Sequence, residues 1–408
     1  MANTDPVVID LAGTDVHAEG ARIRAHGPVA QVELPGGVIA WSVTGYEAGM
    51  RVLSDQRFSK DARQHWKAFI NGEISPDFPL IGWALMENLS TTYGSAHTRL
   101  RRLVAKAFTP RRVEAMRPTI EGIVADLLTG LGSGTPGTPA DLKAGFAHPL
   151  ASRVMFDLIG VPEQARATIL RGGEAQVDTT MTEEEIAAAV GAVIQEMGAL
   201  VESKRRAPGD DLTTALLAAK EEDGSQLTDA EMVGTLLLLL ATGTEPATNL
   251  VTNTVFTLLA NPGQLKSIRA GQASWQDAIE ETLRLEAPVA HLPFRFAVED
   301  VVIDGVTIRA GDPMLMNFAA MGRDPAVHGA SATSFDVRRA SKDHLAFGHG
   351  IYRCIGMPLG RMEAEIAVPA LFDRFPDLSL AVQPGDVKPQ STFIMNGRSE
   401  LPVHLTTP

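Results

Sequence analysis

Two stretches of the chain show the short, β-branched apolar runs that are typical of strands. Between Val29 and Val43, two such runs flank Pro35-Gly36-Gly37, a combination that predicts a hairpin turn. The segment from Val298 to Phe318 has the same character, with turn residues at Asp304-Gly305 and at Ala310-Gly311-Asp312. The chain therefore has at least two small β-rich regions.

Between and after these regions the apolar spacing is helical. The helical pattern dominates from about Thr98 to Glu286, and Thr228 to Ala260 forms one long helix within it. A further helix is predicted from Ile355 to Phe372, and Asn396-Gly397 predicts a last hairpin. The pattern indicates a mainly α fold with small β-sheets (α+β). No linker-like composition interrupts it, so residues 1–408 are expected to form a single domain.

Composition narrows the class of protein. The formal net charge is -13 and 45% of the residues are hydrophobic, enough for a large core. Nucleic-acid binding is not expected, because phosphate contacts need clustered Lys and Arg. The longest apolar run, Leu236 to Ala241, is far shorter than a membrane span. The start of the chain lacks the basic and apolar parts of a signal peptide, so a cytoplasmic location is expected.

The chain has one cysteine, Cys354, in the glycine-rich segment from Phe347 to Gly356. A single cysteine cannot form an intrachain disulfide, and an isolated cysteine is often a small buried apolar residue. Here the N–H groups of a glycine-rich turn and the start of the following predicted helix favour a thiolate. Gly350 and Gly356 would also let the backbone approach a flat macrocycle. We therefore predict that Cys354 is an iron ligand.

The spacing Phe-x-x-Gly-x-x-x-Cys-x-Gly, in the segment Phe347 to Gly356, resembles the haem-binding loop of the cytochromes P-450. The resemblance implies a cytochrome P-450-like fold that holds haem b (iron protoporphyrin IX) between a long distal helix and this proximal loop. It also implies that Cys354 is the axial ligand, as in the thiolate-ligated enzymes of this class. The loop residues that would contact the cofactor are Phe347, Gly348, Tyr352 and Gly356.

Three further residues resemble the family's anchors for the two haem propionates. His97 and Arg101 are four residues apart, which places them on one helix face. Arg295, in Phe294 to Ala297, matches a third anchor, and charge-assisted hydrogen bonds from such groups satisfy a carboxylate. The chain has Tyr352 where the family often has a histidine. A phenol still donates a hydrogen bond but carries no charge.

Glu281 and Arg284 have the spacing of a pair on one helix face. Most such pairs are solvated surface pairs. About 70 residues before a cysteine loop, the pair resembles the family's buried network behind the haem. Either Arg338 or Arg339 is expected to join it, with a structural role.

The long helix contains Gly243 and Glu245 of the family pattern for the oxygen side of the haem. The next position, a threonine in the family, is Pro246. The family's alcohol steers water and protons to dioxygen, and proline has no such group. Proline also lacks a backbone N–H and kinks a helix. Thr244, Thr248 and Glu245 remain as candidate proton relays.

By resemblance, the substrate pocket is lined from five places: the loop from Trp66 to Leu89, the turn near Gly172 to Met181, the distal helix, the segment Val289 to Leu292, and the tip Phe393 to Met395. Together they predict a roomy, mainly apolar pocket. His291 and Asn88 are the polar candidates. The predicted lining residues are Phe69, Trp83, Met86, Asn88, Leu240, Gly243, Val289, His291, Leu292, Phe393 and Ile394.

A basic cluster is predicted on the proximal side of the haem. In a chain with a net charge of -13, such a cluster favours docking of an acidic electron donor. No flavin or nicotinamide fingerprint is present, so electrons are expected from a separate ferredoxin or flavodoxin with its reductase. The residues of the cluster are Arg102, Lys106, Arg111, Arg112, Arg353 and Arg361.

The sequence thus predicts a monooxygenase that uses dioxygen and two external electrons to hydroxylate a hydrophobic small molecule in natural-product metabolism. Two alternatives stay open. One is oxidative C–C or C–O coupling without oxygen insertion, which the loss of the alcohol at Pro246 favours. The other is a haem sensor or ligand-binding protein without turnover, against which the carboxylate Glu245 stands.

Overall fold

The computed structural model describes residues 5–85, 88–134, 137–175 and 182–406. Met86 and most of the turn near Gly172 to Met181, both predicted at the substrate pocket, lie outside these residues. The strands are β1 Val7–Val8, β2 Val29–Leu34, β3 Val38–Val43, β4 Phe58–Ser59, β5 Ala140–Asp141, β6 His291–Ala297, β7 Val301–Ile303, β8 Val306–Ile308, β9 Pro313–Asn317, β10 Ser379–Leu380 and β11 Pro402–His404.

Helices dominate the described residues. They are α1 Val16–Arg24, α2 Tyr46–Ser54, α3 Ala62–His65, α4 Lys67–Ile70, α5 Ile81–Leu85, α6 Gly94–Ala107, α7 Pro110–Ala115, α8 Arg117–Gly132, α9 His148–Ile159, α10 Glu163–Ala175, α11 Glu183–Arg206, α12 Leu212–Ala218, α13 Asp229–Ala260, α14 Pro262–Arg269, α15 Trp275–Leu285, α16 Phe318–Met321, α17 Pro325–His328 and α18 Met357–Arg374. The predicted mainly α fold with small β-sheets is confirmed.

The backbone forms two compact units. The first comprises residues 1–86, 124–149 and 246–408, and the second comprises residues 87–123 and 150–245. Helices α8, α9 and α13 each contribute residues to both units. The prediction of a single domain stays a prediction.

The first unit contains the β-sheets. Its largest sheet has the order β1-β2-β3-β9-β6-β4, in which β2 and β3 form the predicted hairpin. Trp66 is fully buried on one face of this sheet and contacts Phe294 and Phe296, with ring centroids 5.5 Å away in both cases. Such aromatic pairs add about 0.5–1.5 kcal/mol each to the effect of burial. This cluster anchors β6, the strand that carries Arg295.

The second unit is helical. Its helix α10 packs closely against α11, because a Cβ on Gly172 would lie 2.2 Å from Val193 Cγ2. The N-terminus of α13 is capped by a reciprocal pair of hydrogen bonds. Glu231 N–H donates to Thr228 Oγ1 at 3.2 Å, and Thr228 N–H donates to the Glu231 carboxylate at 2.9 Å. Along the described parts of the chain, no helix has both the length and the apolar surface to cross a bilayer.

The turn at Asp304-Gly305 is confirmed. A last hairpin is also present, since Pro389 and Arg398 form an antiparallel bridge, but Asn396-Gly397 lies on its return arm and not at its turn as predicted. Asp304 and Gly305 have φ of 49° and 79°, as a tight turn between β7 and β8 requires. Asn396 is buried instead, where its Nδ2 donates to Glu286 at 3.2 Å. A Cβ on Gly397 would lie 2.2 Å from the Asn249 side chain. Tertiary contacts, and not a turn, therefore select this pair.

Candidate active site

Cys354 lies in the loop that leads into α18. Its side chain is exposed, and its backbone N–H donates to the carbonyl oxygen of Phe347 at 2.9 Å. Gly348 and Gly350 have φ of 67° and 69°, which glycine adopts without strain. The loop is thus held closed by a backbone hydrogen bond and presents a thiol at its surface.

Gly350 and Gly356, which were expected to let the loop backbone approach a macrocycle, have different roles in the structure. A Cβ on Gly350 would lie 2.4 Å from the carbonyl oxygen of Leu53, so this glycine permits packing against the end of α2. A Cβ on Gly356 would lie 3.8 Å from Cys354 Sγ. Gly356 caps α18, which begins at Met357 and not at the predicted Ile355. The thiol therefore lies just before the first helical turn.

Glu281 and Arg284 form a buried ion pair on α15, as predicted. Arg284 Nε and Nη2 donate to the two carboxylate oxygens of Glu281 at 2.8 and 2.7 Å, and both side chains are fully buried. Arg339 Nε donates to the same carboxylate at 3.0 Å, as does the backbone N–H of Asp336. Arg338 is exposed, so Arg339 is the third member of the network.

Arg284 also holds the segment that precedes the cysteine loop. Its guanidinium donates to three backbone carbonyl oxygens at 2.6 to 3.0 Å. Buried charges are tolerated when every donor is satisfied in this way. The carbonyl oxygens belong to Gly322, Ala332 and Ser334. The network therefore fixes the backbone between β9 and the cysteine loop.

A second carboxylate on α15, Glu280, joins this helix to the cysteine loop and to α18. Arg361 donates to both of its oxygens at 2.6 and 2.8 Å, and His344 Nε2 lies 3.1 Å from one of them. Burial raises the pKa of Glu280, but the hydrogen bonds from His344 and Arg361 lower it to about 2. No local pattern indicated this role, because Glu280 has the spacing of a solvated helix residue.

Arg295 is buried on β6 and stacks on Tyr352. Its Cζ lies 5.0 Å from the centroid of the phenol ring, a cation–π contact. Its Nε is buried without a hydrogen-bond acceptor among the described residues. Burial lowers the pKa of Arg295 to about 10, so the side chain is still a cation at neutral pH. Tyr352, two residues before Cys354, thus links the cysteine loop to a buried cation.

In the second unit, His97 and Arg101 occupy one face of α6, four residues apart. His97 is buried and Arg101 is half-buried. The neighbouring Arg99 forms an ion pair with Glu231 and so has a separate, structural partner. Both residues thus lie on one helix, as predicted, and their role as propionate anchors stays a prediction.

Helix α13 continues through Pro246 without a break in its helical assignment. The proline removes the N–H that the carbonyl oxygen of Thr242 would otherwise accept. Thr244 Oγ1 donates to the carbonyl oxygen of Leu240 at 2.9 Å, while Thr248 is fully buried. Glu245 is half-buried. Pro246 therefore changes the hydrogen bonding of the helix but does not end it.

The sequence profile of the cytochrome P-450 family matches residues 275–401. The chain is 47% identical to 2-hydroxy-5-methyl-1-naphthoate 7-hydroxylase of Streptomyces carzinostaticus, over 98% of this chain and 97% of that protein. It is 40% identical to the monooxygenase PikC of Streptomyces venezuelae, over 98% and 94%. This chain belongs to the cytochrome P-450 family.

Solved structures agree with this assignment. CYP154C4 from a Streptomyces species superimposes with a TM-score of 0.93 and 40% identity, over 99% of this chain and 98% of that chain. CYP154A1 from Streptomyces coelicolor gives a TM-score of 0.89 and 42% identity, over 98% and 100%. The relatives are named as monooxygenases or hydroxylases, so this P-450 is an oxidoreductase and not a sensor without turnover.

The residues of the first unit fit the haem-thiolate group of the family. An exposed thiol is available as a ligand, and Arg295 has an unsatisfied buried donor that suits a carboxylate. When bound, the haem supplies dioxygen activation at a thiolate-ligated iron. The surrounding residues hold the loop, through Phe347 and Gly350, and the segment before it, through Arg284.

Two of the predicted pocket walls meet in this P-450. The backbone N–H of Ala290 donates to the carbonyl oxygen of Ile394 at 2.8 Å, and Val289 pairs with Met395. One apolar cluster contains four predicted lining residues, and another contains two more. The first four are Phe69, Trp83, Phe393 and Ile394, and the others are Val289 and Leu292.

The polar candidates and Gly243 have close neighbours of their own. His291 is fully buried with its ring centroid 5.6 Å from that of Phe393, and burial lowers its pKa to about 4. It is therefore neutral at pH 7. Asn88 caps a short turn by accepting a hydrogen bond from Ser90 N–H at 2.8 Å. A Cβ on Gly243 would lie 2.4 Å from Met155 Sδ. Leu240 is half-buried on α13.

The predicted basic cluster is only partly available to a partner. Arg361 is held by Glu280, Lys106 lies 2.9 Å from Glu221, and Arg112 lies 3.4 Å from Asp210. Arg102 is exposed and 3.9 Å from Glu221. Arg111 and Arg353 are exposed. Lys106, Arg111 and Arg112 line an open groove of about 840 Å³ in the second unit.

Proposed function

We propose that the protein hydroxylates a hydrophobic small molecule of natural-product metabolism, with haem b bound through Cys354. The observation that carries this proposal is the exposed thiol in a closed glycine loop, held from behind by the buried Glu281–Arg284–Arg339 network. A haem sensor would need the same thiol ligand, so the ligand alone does not distinguish a sensor from an enzyme. The relatives of this chain are named as a hydroxylase and a monooxygenase, which favours an enzyme.

Each residue then has a distinct role. Cys354 is the axial ligand, and Phe347, Gly348 and Gly356 shape the loop around it. Arg295, with Arg101 and His97 by resemblance, balances the charge of the propionates. Tyr352 supports Arg295 through its ring and not by a charge of its own.

Proton supply is assigned to α13. Glu245, half-buried beside Pro246, is the acid–base group, and Thr244 and Thr248 are hydroxyl relays along the same helix. Thr244 donates its hydroxyl proton to the carbonyl oxygen of Leu240, so this hydroxyl has to turn away from the helix backbone when it passes a proton on. Because Pro246 supplies no alcohol, a hydroxyl or N–H group of the substrate orders the last water.

The substrate is proposed to be a largely apolar aromatic compound. The relative with 47% identity is named for a hydroxylated naphthoate. The lining candidates of the first unit are Phe69, Trp83, Phe393 and Ile394, which offer aromatic and aliphatic surface. Neutral His291 adds no charge to this surface.

Electrons are proposed to come from an acidic ferredoxin or flavodoxin. Arg111 is exposed, and no ion pair holds it within the parts of the chain that the structure describes. It lines the groove in the second unit and offers positive charge there. A thiolate ligand and a reduced electron donor both favour a cytoplasmic location.

The decisive experiment is turnover under labelled dioxygen with a generic ferredoxin and reductase. Hydroxylation predicts a product that gains one oxygen atom, with the label of the gas. A solved relative with 31% identity and a TM-score of 0.88 is named for C–S bond formation, which makes oxidative coupling the second candidate. Coupling would give a product that has lost two hydrogens and contains no labelled oxygen. A protein that turns over nothing while it consumes reductant would contradict both.

We expect Pro246→Thr to leave the product formed per reductant unchanged or lower, because the substrate already orders the water that an alcohol would bind. Peroxide release by the native enzyme should be small on the true substrate. The measurement is peroxide and product per reductant for both proteins. Pro246→Ala is the matched control, since it restores the backbone N–H without an alcohol. Native protein that leaks most of its electrons, and is repaired by threonine but not by alanine, would refute substrate assistance.

A further inference from the structure

Lys60 and Arg295 lie at one end of a strand pair of the large sheet. In the antiparallel pair β4–β6, Phe58 pairs with Ala297 and Ser59 pairs with Phe296. Lys60 directly follows the paired Ser59, and Arg295 directly precedes the paired Phe296, so both residues extend from the same end of this ladder. The positive charge of Arg295 acts on Lys60. Two basic side chains therefore share one site.

Both basic side chains are buried. Lys60 is 7% exposed and Arg295 is 3% exposed. Within residues 5–85, 88–134, 137–175 and 182–406, no carboxylate forms an ion pair with either side chain. Burial, with the Arg295 guanidinium nearby, lowers the pKa of Lys60 to about 7. Buried charges are usually paired.

The pair lies next to the cysteine loop. Arg295 stacks on Tyr352, two residues before Cys354. Phe58 and Ala297 lie two residues away from Lys60 and Arg295 along the chain, the spacing that places strand side chains on one face of a sheet. Both belong to an apolar cluster that includes Leu345. The site thus has positive charge, burial and proximity to the thiol, and it lacks an anion.

We infer that Lys60 acts with Arg295 to bind one carboxylate, and that in the holoenzyme this carboxylate is a propionate of the haem. The inference rests on the proposed haem-thiolate function and adds Lys60 to the residues that hold the cofactor. The guanidinium supplies paired donors and the ammonium supplies a point charge. A carboxylate of the substrate has the same chemistry, but a permanent cofactor explains better why two buried cations are kept together.

The test is the rate of haem transfer from the holoenzyme to excess apomyoglobin. Lys60→Met should release haem roughly 10- to 100-fold faster, the range for the loss of a hydrogen bond to a charged group. When both proteins are loaded with haem dimethyl ester, Lys60→Met and the native protein should release the ester at the same rate, because the esterified propionates carry no charge. Lys60→Arg should stay near native. Lys388→Met removes an exposed lysine of the same unit and should change nothing.

Three results would overturn the inference. Haem release from Lys60→Met at the native rate would show that Lys60 does not hold the cofactor. Equal acceleration for haem and for its dimethyl ester would show a general loosening of the fold. In the third case, Lys60→Met releases haem at the native rate but binds naphthoate more weakly, with binding measured by the spectral shift that naphthoate causes. This result would assign the carboxylate to the substrate.

This test is separate from that of the proposed function. It follows the release of bound haem and needs no substrate or electron donor. A failure to hydroxylate any compound would contradict the proposed function and leave the haem-release ratio unaffected. A negative result for Lys60, in turn, leaves Cys354 as the ligand.

Discussion

Cys354→Ser should lose the red-shifted Soret band of the ferrous carbonyl complex, and its turnover should fall to background. Cys354 is the only cysteine of the chain, so no other thiol can replace it. A serine hydroxyl in the same loop is not ionised at neutral pH and does not supply the electron density that a thiolate supplies to iron. The measurements are the carbonyl difference spectrum and product formation with ferredoxin.

The control for this change is Ile351→Ser, which introduces the same hydroxyl into the same loop but keeps the thiol. Ile351 is 45% exposed, so its replacement should leave both the spectrum and the turnover near native. If Cys354→Ser retained the thiolate band, the ligand would have to be another group and the proposed function would fail.

Glu281→Ala should destabilise the protein by about 3–5 kcal/mol, the usual effect of removing one partner of a buried ion pair. Arg284 would keep its charge in a fully buried position, and Arg339 would lose an acceptor at 3.0 Å. The backbone N–H of Asp336 would also lose its acceptor. The free energy of unfolding of the holoprotein, from urea titration, measures this effect.

Two further variants test the reason for the loss. Arg338→Ala changes an exposed neighbour of the network, and such surface changes usually stay within about 0.5 kcal/mol. The double change Glu281→Leu with Arg284→Met removes both charges, but it leaves the carbonyl oxygens of Gly322 and Ala332 without their donor. Its stability should therefore recover only in part. A loss below about 1 kcal/mol for Glu281→Ala would contradict the structural role of the network.

Local sequence signals located several of the elements. The hairpin of β2 and β3 and the long helix α13 were predicted almost to the residue, because turn residues and helix caps act over three or four positions. The pair Asn396-Gly397 misled for the opposite reason. Its residues satisfy Glu286 and make room for Asn249, and these contacts join parts of the chain more than 100 residues apart.

The candidate site divides in the same way. Resemblance to family motifs identified Cys354, Glu281 and Arg284, and it could do so because a loop motif and a pair on one helix turn are local features. The choice between Arg338 and Arg339 needed the structure, because both follow the same turn and only Arg339 reaches Glu281.

The sequence by itself determined the class of fold, the thiol, and the helix that lacks an alcohol at Pro246, because motif spacing and turn chemistry are written in consecutive residues. Only the tertiary structure decided which polar residues are buried and what they face. Lys60 has the local pattern of an ordinary surface lysine, yet the fold buries it just beyond the β4–β6 pair, near Arg295. Burial and cross-strand pairing depend on residues far apart in the chain, and no local pattern contains them.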